Sequence, residues 1–224
     1  MNIITSFGII LFTEIDNKKH FLIGQRISSL QYLDIFNSRC PLQKVESYVF
    51  KCTAFEKSIL ARDNINDIYY DSFYGHRDYN ELVNRWTKIR PYVRAALKKG
   101  INTEQSCMYS FPKGKKKYRE TQEEAALREF EEETRIDKSL ITKTDYEPCI
   151  VYFKGTDDKQ YKTVYFIYKC DNPIKIDQIF YDSPFESRQY RVSEEMQELL
   201  WVPIDKIQDY LEPYIVKNIE NILK

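Results

Sequence analysis

The sequence predicts an α/β fold that a mainly helical segment interrupts. Three observations support this: β-rich runs open the chain, a helix followed by further β-rich runs occupies the second half, and strand signals fade between them. We therefore divide the chain into residues 1–28, 29–104 and 105–224, with the first and last ranges forming one α/β domain. A chain of 224 residues is long enough to bury a large core.

The first predicted element is a β-hairpin. Ile4–Thr13 and His20–Gln25 are rich in strand-forming residues and flank the polar stretch 16–19. The apolar run from Ile3 to Phe12 is only about ten residues long and lacks a basic leader, so we expect a strand there and not a signal peptide or membrane anchor. We expect a soluble protein with no membrane partner.

The clearest element of the middle segment is a helix from Glu81 to Lys99. Its apolar residues recur at intervals of three and four: Leu82, Trp86, Ile89, Val93 and Leu97. Pro91 is expected to kink or split this helix, and Gly100 is expected to end it.

The second half of the chain alternates strands and helices. A strand is predicted at Cys107–Phe111 and a helix at Thr121–Thr134. Further strands are predicted over residues 148–154, 161–170 and 199–202, and helical material from residue 205 onward.

Charge and cysteine content narrow the class of protein. Thirty-four basic residues balance thirty-four acidic ones, so net charge alone predicts neither a nucleic-acid nor a membrane partner. The five cysteines are never spaced as C-x-x-C, which argues against a disulfide framework or a zinc knuckle. This usage favours a reducing, intracellular location.

A glutamate-rich helix carries the residues of greatest chemical interest. At 100° per residue, Glu129, Glu132 and Glu133 fall within about a third of the helix circumference. Converging carboxylates repel one another unless a cation joins them. Their hard oxygen atoms suit Mg²⁺ or Mn²⁺, which are common partners of substrate phosphates. The alternative is an ordinary solvated helix.

A long spaced signature surrounds these glutamates. It resembles the box of the Nudix hydrolases, G-x5-E-x7-R-E-U-x-E-E-x-G-U with U a bulky apolar residue. Eight of the nine specified positions match within residues 114–136: Gly114, Glu120, Arg128, Glu129, Phe130, Glu132, Glu133 and Ile136. The exception is Arg135, where the family has Gly. That Gly is expected to end the helix in the left-handed conformation, so Arg135 should cost about 1 kcal/mol if the backbone is kept.

This resemblance implies a fold, a reaction and a set of residue roles. The fold would be a Nudix α/β/α sandwich with a mixed sheet, and the reaction would be metal-dependent hydrolysis of a nucleoside diphosphate linked to another group. The metal, Mg²⁺ or Mn²⁺, would be bound by Glu129, Glu132 and Glu133, and one of these could act as the base. Gly114, Glu120 and Arg128 would support the box.

A further carboxylate is expected from a loop near the end of the chain. Many Nudix members place a Glu just before a strand that ends in Trp, and Glu195 stands in this relation to Trp201. Glu195 is therefore the candidate fourth metal ligand and, with Glu132 and Glu133, a candidate catalytic group. Glu194 is the near alternative, and an ordinary surface carboxylate is the other interpretation.

The residues that lead into the box indicate which class of substrate to expect. The run Phe111-Pro112-Lys113-Gly114-Lys115 resembles the mRNA-decapping Nudix enzymes, especially those of large cytoplasmic DNA viruses. The opening run Ile4 to Ile10, the pair Gln25-Arg26 and the position of the helical insertion resemble the same group. Pro-Lys-Gly also occurs in diadenosine polyphosphate hydrolases. Four cations are candidates for binding substrate phosphate or RNA: Lys113, Lys115, Lys116 and Lys117.

The insertion interleaves basic and aromatic residues, a combination that suits single-stranded RNA. The basic residues are Arg62, Arg77, Arg85, Lys88, Arg90, Arg94, Lys98 and Lys99. The aromatic residues are Tyr69, Tyr70, Phe73, Tyr74, Tyr79, Trp86 and Tyr92. Trp86 lies on the apolar stripe, so we expect it in the core.

The expected function is hydrolysis of the mRNA 5′ cap, which releases m7GDP and 5′-monophosphate RNA. The expected partner is capped mRNA and the expected location is the cytoplasm, or the host cytoplasm if the source is viral. One alternative is a diphosphoinositol polyphosphate or dinucleoside polyphosphate hydrolase. The other is an RNA-binding module with a degenerate active site.

Overall fold

The computed structural model describes residues 3–37, 40–73, 78–100, 108–155, 159–178, 192–193 and 195–222. The chain divides into two compact units. One comprises residues 1–27 and 108–224, and the other comprises residues 28–107. Among the described residues, the helices are all too short or too polar to cross a membrane.

The first unit contains a mixed sheet, which has eight strands among the described residues. The strands are β1 (Ile4–Ile15), β2 (Lys18–Arg26), β3 (Tyr109–Ser110), β4 (Lys113–Gly114), β5 (Thr142–Lys143), β6 (Cys149–Lys154), β7 (Gln160–Lys169) and β8 (Met196–Pro203). β1 runs parallel to β7 and antiparallel to β2 and β4. β2 also pairs with β3 and β8, and β7 with β5 and β6. The predicted strand at Cys107–Phe111 is reduced to β3, and Cys107 lies outside the described residues.

The predicted hairpin is confirmed, and it is longer than the strand signals indicated. β1 and β2 pair from Phe12 opposite Phe21 to Ile15 opposite Lys18. The two turn residues, Asp16 and Asn17, have φ angles of 51° and 61°. Asp and Asn tolerate this left-handed conformation, which two-residue hairpin turns require.

Helices pack on both faces of the sheet. Helix α6 (Gln122–Thr134) places Phe130 in one core cluster, together with Ile9 of β1. On the other face, a 3₁₀ helix (Ile204–Asp209) and α7 (Pro213–Ile222) pack with Ile10 of β1. Because neighbouring β1 side chains enter opposite clusters, both faces are covered and the predicted α/β/α sandwich is confirmed.

The second unit is helical and has its own core. Its helices are α1 (Leu30–Ile35), α2 (Leu42–Lys51), α3 (Ala54–Arg62), α4 (Ile65–Ile68), a π-helical segment (Tyr69–Phe73) and α5 (Tyr79–Lys98). The apolar stripe of α5 is buried in this core, and Trp86 is only 5% exposed. The expected place of Trp86 in a core is thus confirmed.

Helix α5 runs without a break through Pro91, so the predicted split is wrong. Proline removes one backbone donor, but the buried side chains of Ile89 and Val93 on either side hold the helix to the core. The predicted end is confirmed, since Lys99 caps the helix and Gly100 follows with φ of 104°.

Helix α6 has defined caps at both ends. Thr121 and Glu124 form a capping box, with N···O distances of 3.2 and 2.7 Å. At the other end Arg135 adopts the left-handed conformation, with φ of 59°, and its N–H donates to the carbonyl of Glu131 at 2.9 Å. Arg135 therefore keeps the backbone that the box assigns to glycine.

We predict that Arg135→Gly raises the free energy of unfolding by about 1 kcal/mol, because glycine adopts this conformation without the Cβ penalty. Arg135→Ala is the matched control, since it removes the long side chain and keeps the Cβ. Urea denaturation of the three proteins makes the comparison. A glycine variant no more stable than the alanine variant would show that the left-handed residue carries no strain.

Candidate active site

The box begins where β4 presses against β1. Phe7 pairs with Gly114 and Gly8 with Lys113, and the N–H of Ile9 donates to the carbonyl of Pro112 at 3.1 Å. A Cβ on Gly8 would collide with that carbonyl and stand 2.7 Å from the Cβ of Lys113. β4 was not predicted from the sequence, although a glycine inside a strand, such as Gly8, is a signal of close backbone approach.

Gly114 is the point where the loop meets the glutamate helix. A Cβ on Gly114 would occupy the position of the Glu129 carboxyl group. The Glu129 side chain is 16% exposed and therefore lies between the loop and the helix. Any larger residue would force this carboxylate to move, which gives a steric reason for glycine as the first residue of the box.

Arg128 connects the box loop to the helix through charged hydrogen bonds. Its Nε and Nη2 donate to the two carboxylate oxygens of Glu120 at 2.6 and 3.2 Å, and Nη2 also donates to the carbonyl of Lys115 at 2.9 Å. Its Nη1 donates to Glu129 and Glu132 at 2.8 and 2.9 Å. The Arg128 contact and the N–H of Lys117 lower the pKa of Glu120 to about 2.

Glu133 is the buried carboxylate of the site. It is 4% exposed, and its Oε2 accepts a hydrogen bond from the backbone N–H of Lys113 at 3.1 Å. Burial raises the pKa of Glu133, and the charges of Lys113 and Arg26 oppose this shift. Burial and the neighbouring Arg26 lower the pKa of Lys113. A buried acid and two cations therefore lie close together.

Glu195 directly precedes β8. Its carbonyl accepts a hydrogen bond from the N–H of Ile27 at 3.0 Å, and the hydroxyl of Ser193 accepts one from the N–H of Met196 at 3.1 Å. The Glu195 carboxylate is 58% exposed and lies 3.5 Å from Nη2 of Arg26. Glu195 also contributes to the raised pKa of Glu133, so the structure brings these two carboxylates near each other. Glu194 lies outside the described residues.

The basic loop extends along the exposed side of the helix. Lys117 Nζ binds Glu132 at 3.2 Å, and Lys116 Nζ donates to the carbonyl of Glu120 at 2.9 Å. Lys115, Lys116 and Lys117 are exposed, whereas Lys113 is half-buried beside Glu133. Of the four candidate lysines, three are therefore at the surface and one lies beside the buried acid.

The carboxylates fit a divalent cation by their chemistry. In the described residues, no three Asp, Glu, His or Cys side chains are already close enough together to bind one metal ion. However, Glu129 and Glu132 already share a single cationic atom, Nη1 of Arg128. Carboxylate oxygens that can share one cation are suitable ligands for Mg²⁺ or Mn²⁺. Glu129, Glu132, Glu133 and Glu195 would hold the metal.

Comparison with known families identifies the class of protein. The family model described as "NUDIX domain" matches residues 93–223, more than half of the chain. The chain therefore belongs to the Nudix family, whose hydrolases generally use divalent ions such as Mg²⁺ or Mn²⁺. A search of curated proteins gave no match.

Solved Nudix structures resemble this chain at low identity. An Ap4A hydrolase from C. elegans, in a binary complex, is 14% identical, with 97% of this chain and 93% of that chain covered and a TM-score of 0.49. A MutT protein from Methanosarcina mazei is 18% identical, with 97% and 91% covered and a TM-score of 0.44. The NUDIX domain of NrtR from Shewanella oneidensis, complexed with ADP ribose, is 10% identical, with 100% and 90% covered and a TM-score of 0.44. Such distant similarity carries no information on the substrate.

We predict that Gly114→Ala weakens Mn²⁺ binding about tenfold or more, because the new Cβ displaces Glu129 from the loop. Isothermal titration with Mn²⁺ measures the effect. Gly100→Ala is the control for backbone strain alone: its φ of 104° makes alanine unfavourable there, but its Cβ would meet no atom within 4 Å and it lies in the helical unit. Unchanged Mn²⁺ affinity in Gly114→Ala would contradict the placement of the metal at Glu129.

Proposed function

We propose that this Nudix protein hydrolyses the 5′ cap of mRNA and releases m7GDP and 5′-monophosphate RNA. The observation that carries the proposal is the run of exposed lysines, Lys115 to Lys117, which the Arg128 network fixes beside the carboxylates. A triphosphate bridge joined to an RNA chain has phosphates for both the metal site and these cations. The resemblance of the run Phe111-Pro112-Lys113-Gly114-Lys115 to decapping enzymes supports the same substrate, whereas its Pro-Lys-Gly part alone is shared with diadenosine polyphosphate hydrolases.

Each part of the site has a role in this reaction. Divalent metal ions, when bound, would polarise a bridging phosphate and lower the pKa of a water molecule. Glu129, Glu132, Glu133 and Glu195 would hold those ions, and Glu132, Glu133 or Glu195 would accept the proton from the attacking water. Gly114, Glu120 and Arg128 hold the loop on the helix, and Lys113 faces the phosphate next to the buried Glu133.

The helical unit is proposed to bind the RNA body. Not every cation named above remains available there, since Arg85 donates to two backbone carbonyls and Arg90 and Arg94 both bind Asp63. Lys88 and Lys98 are exposed on α5, as is the ring of Tyr92. Exposed lysines with an aromatic ring suit RNA backbone contacts and base stacking. Arg77 and Tyr74 lie outside the described residues.

As part of the same proposal, the protein acts in the cytoplasm, is related to viral decapping enzymes and has capped mRNA as its partner. An RNA-binding module without activity is disfavoured, because the glutamates of the box are intact and Arg128 contacts three of them.

We predict that the wild-type protein releases m7GDP from cap-labelled RNA in the presence of Mg²⁺ or Mn²⁺. Glu133→Gln should reduce this release about 100-fold or more, because it removes a metal ligand and candidate base. The exposed Glu147→Gln is the control and should retain activity. Chromatography of the labelled products makes the measurement.

A parallel reaction with a dinucleoside polyphosphate separates the substrates. Efficient cleavage of that compound with intact capped RNA would reject decapping and leave a small-molecule Nudix hydrolase. If neither compound reacts with the wild-type protein, inositol pyrophosphates become the next substrate class to test.

A further inference from the structure

Arg26 is a charged residue at the site that the Nudix box does not specify. It is the last residue of β2, where the pairing with β8 shifts register between Gln25 and Arg26. Its backbone N–H donates to the carbonyl of Met108 at 2.8 Å, and its side chain is 16% exposed. The backbone of Arg26 is thus fixed, and its guanidinium lies largely away from solvent.

The guanidinium of Arg26 has donors that lack a good hydrogen-bond acceptor. Within the described residues its Nε is buried and has no hydrogen-bond partner. Its Nη2 reaches Oε2 of Glu195 at 3.5 Å, which is long for a charged hydrogen bond. A buried donor without an acceptor is unfavourable. Arg pairs best with a carboxylate through two parallel hydrogen bonds, and here Nε and Nη2 can provide them.

The carboxylates of the site fall into two groups by their cationic partners. Glu129 and Glu132 bind Arg128. Glu133 and Glu195 instead lie near Arg26 and Lys113, whose charges act on Glu133. Lys113 contacts Glu133 through its backbone N–H. The side chain of Arg26, by contrast, contacts the carboxylate of Glu195. Arg26 is therefore the cationic partner of Glu195, as Arg128 is the cationic partner of Glu129 and Glu132.

We propose that Arg26 is a positioning residue that holds the Glu195 carboxylate at the metal site through Nε and Nη2. The backbone of Glu195 is already fixed to the end of β2 by the Ile27 hydrogen bond, and its side chain is exposed. In this role the exposed side chain turns toward Nε, which completes the bidentate pair and satisfies the buried donor. The inference rests on the proposed role of Glu195 as a metal ligand.

This role predicts an effect opposite in sign to simple electrostatics. Loss of a positive charge beside a cation site should tighten metal binding if charge alone matters. Loss of a residue that positions a ligand should weaken metal binding, and a group that hydrogen-bonds to a metal ligand is typically worth about 10–100-fold in affinity. The direction of the change in Mn²⁺ affinity therefore distinguishes the two roles.

We predict that Arg26→Ala weakens Mn²⁺ binding about tenfold, and that Arg26→Lys, which keeps the charge and loses the fork, has an intermediate effect. Electron paramagnetic resonance of free and bound Mn²⁺ measures the affinity without any substrate. Lys18→Ala is the matched control, since Lys18 lies at the other end of β2 and pairs with Asp205 at 3.3 Å. Circular dichroism and thermal melting verify folding of each variant.

The Glu195→Gln background completes the test. There Arg26→Ala should no longer weaken Mn²⁺ binding, because the ligand that Arg26 positions is gone. Unchanged or tighter Mn²⁺ binding in Arg26→Ala, equal weakening in both backgrounds, or no Mn²⁺ binding by the wild type would each overturn the proposal. If Arg26→Ala does not fold, Arg26→Lys in the two backgrounds gives the same comparison.

The readout separates this inference from the proposed substrate. An Arg26-dependent Mn²⁺ affinity in a protein that leaves capped RNA intact would reject decapping and support the positioning role. Cleavage of capped RNA with an Mn²⁺ affinity that is independent of Arg26 would support decapping and reject the positioning role.

Discussion

The charged hydrogen bonds of Arg128 are the interaction on which the candidate site depends. One guanidinium joins Glu120 and the Lys115 carbonyl of the loop to Glu129 and Glu132 of the helix. Without this link, the carboxylates would repel one another and the basic loop would have little to fix it on α6. The helix itself is fixed by Phe130 in the core, so the network transmits the position of the sheet to the site.

The sheet explains why the box needs glycine and why the site forms at this place. β4 lies against β1 at Gly8, and this contact sets Gly114 beneath the Glu129 carboxylate. The N–H of Lys113 then reaches the buried Glu133. β2, the second strand of the hairpin, ends at Arg26 and the loop of Glu195. Residues far apart in the sequence thus meet because β1 and β2 are adjacent in one sheet.

Much of this arrangement could be predicted from the sequence, for identifiable physical reasons. The hairpin, α6 and the stripe of α5 follow local periodicity and turn chemistry, and the box spacing places three glutamates on one face of a helix. Local signals could not reveal β4, because a two-residue strand is formed by tertiary pairing with Gly8. They could not decide whether Pro91 kinks or splits α5, and the helix stays continuous there because packing outweighs a lost backbone donor. Nor could they assign Arg26, whose significance arises only from its neighbours in space.

The central claim is that the box glutamates form a divalent metal site, and Mn²⁺ binding tests it most directly. The measurement compares the wild-type protein with a variant in which Glu129, Glu132 and Glu133 are all replaced by Gln, which keeps side-chain size. The account predicts saturable Mn²⁺ binding by the wild type and its loss in a variant that still melts cooperatively. Equal Mn²⁺ binding by the two folded proteins would contradict it and place any metal elsewhere in the chain.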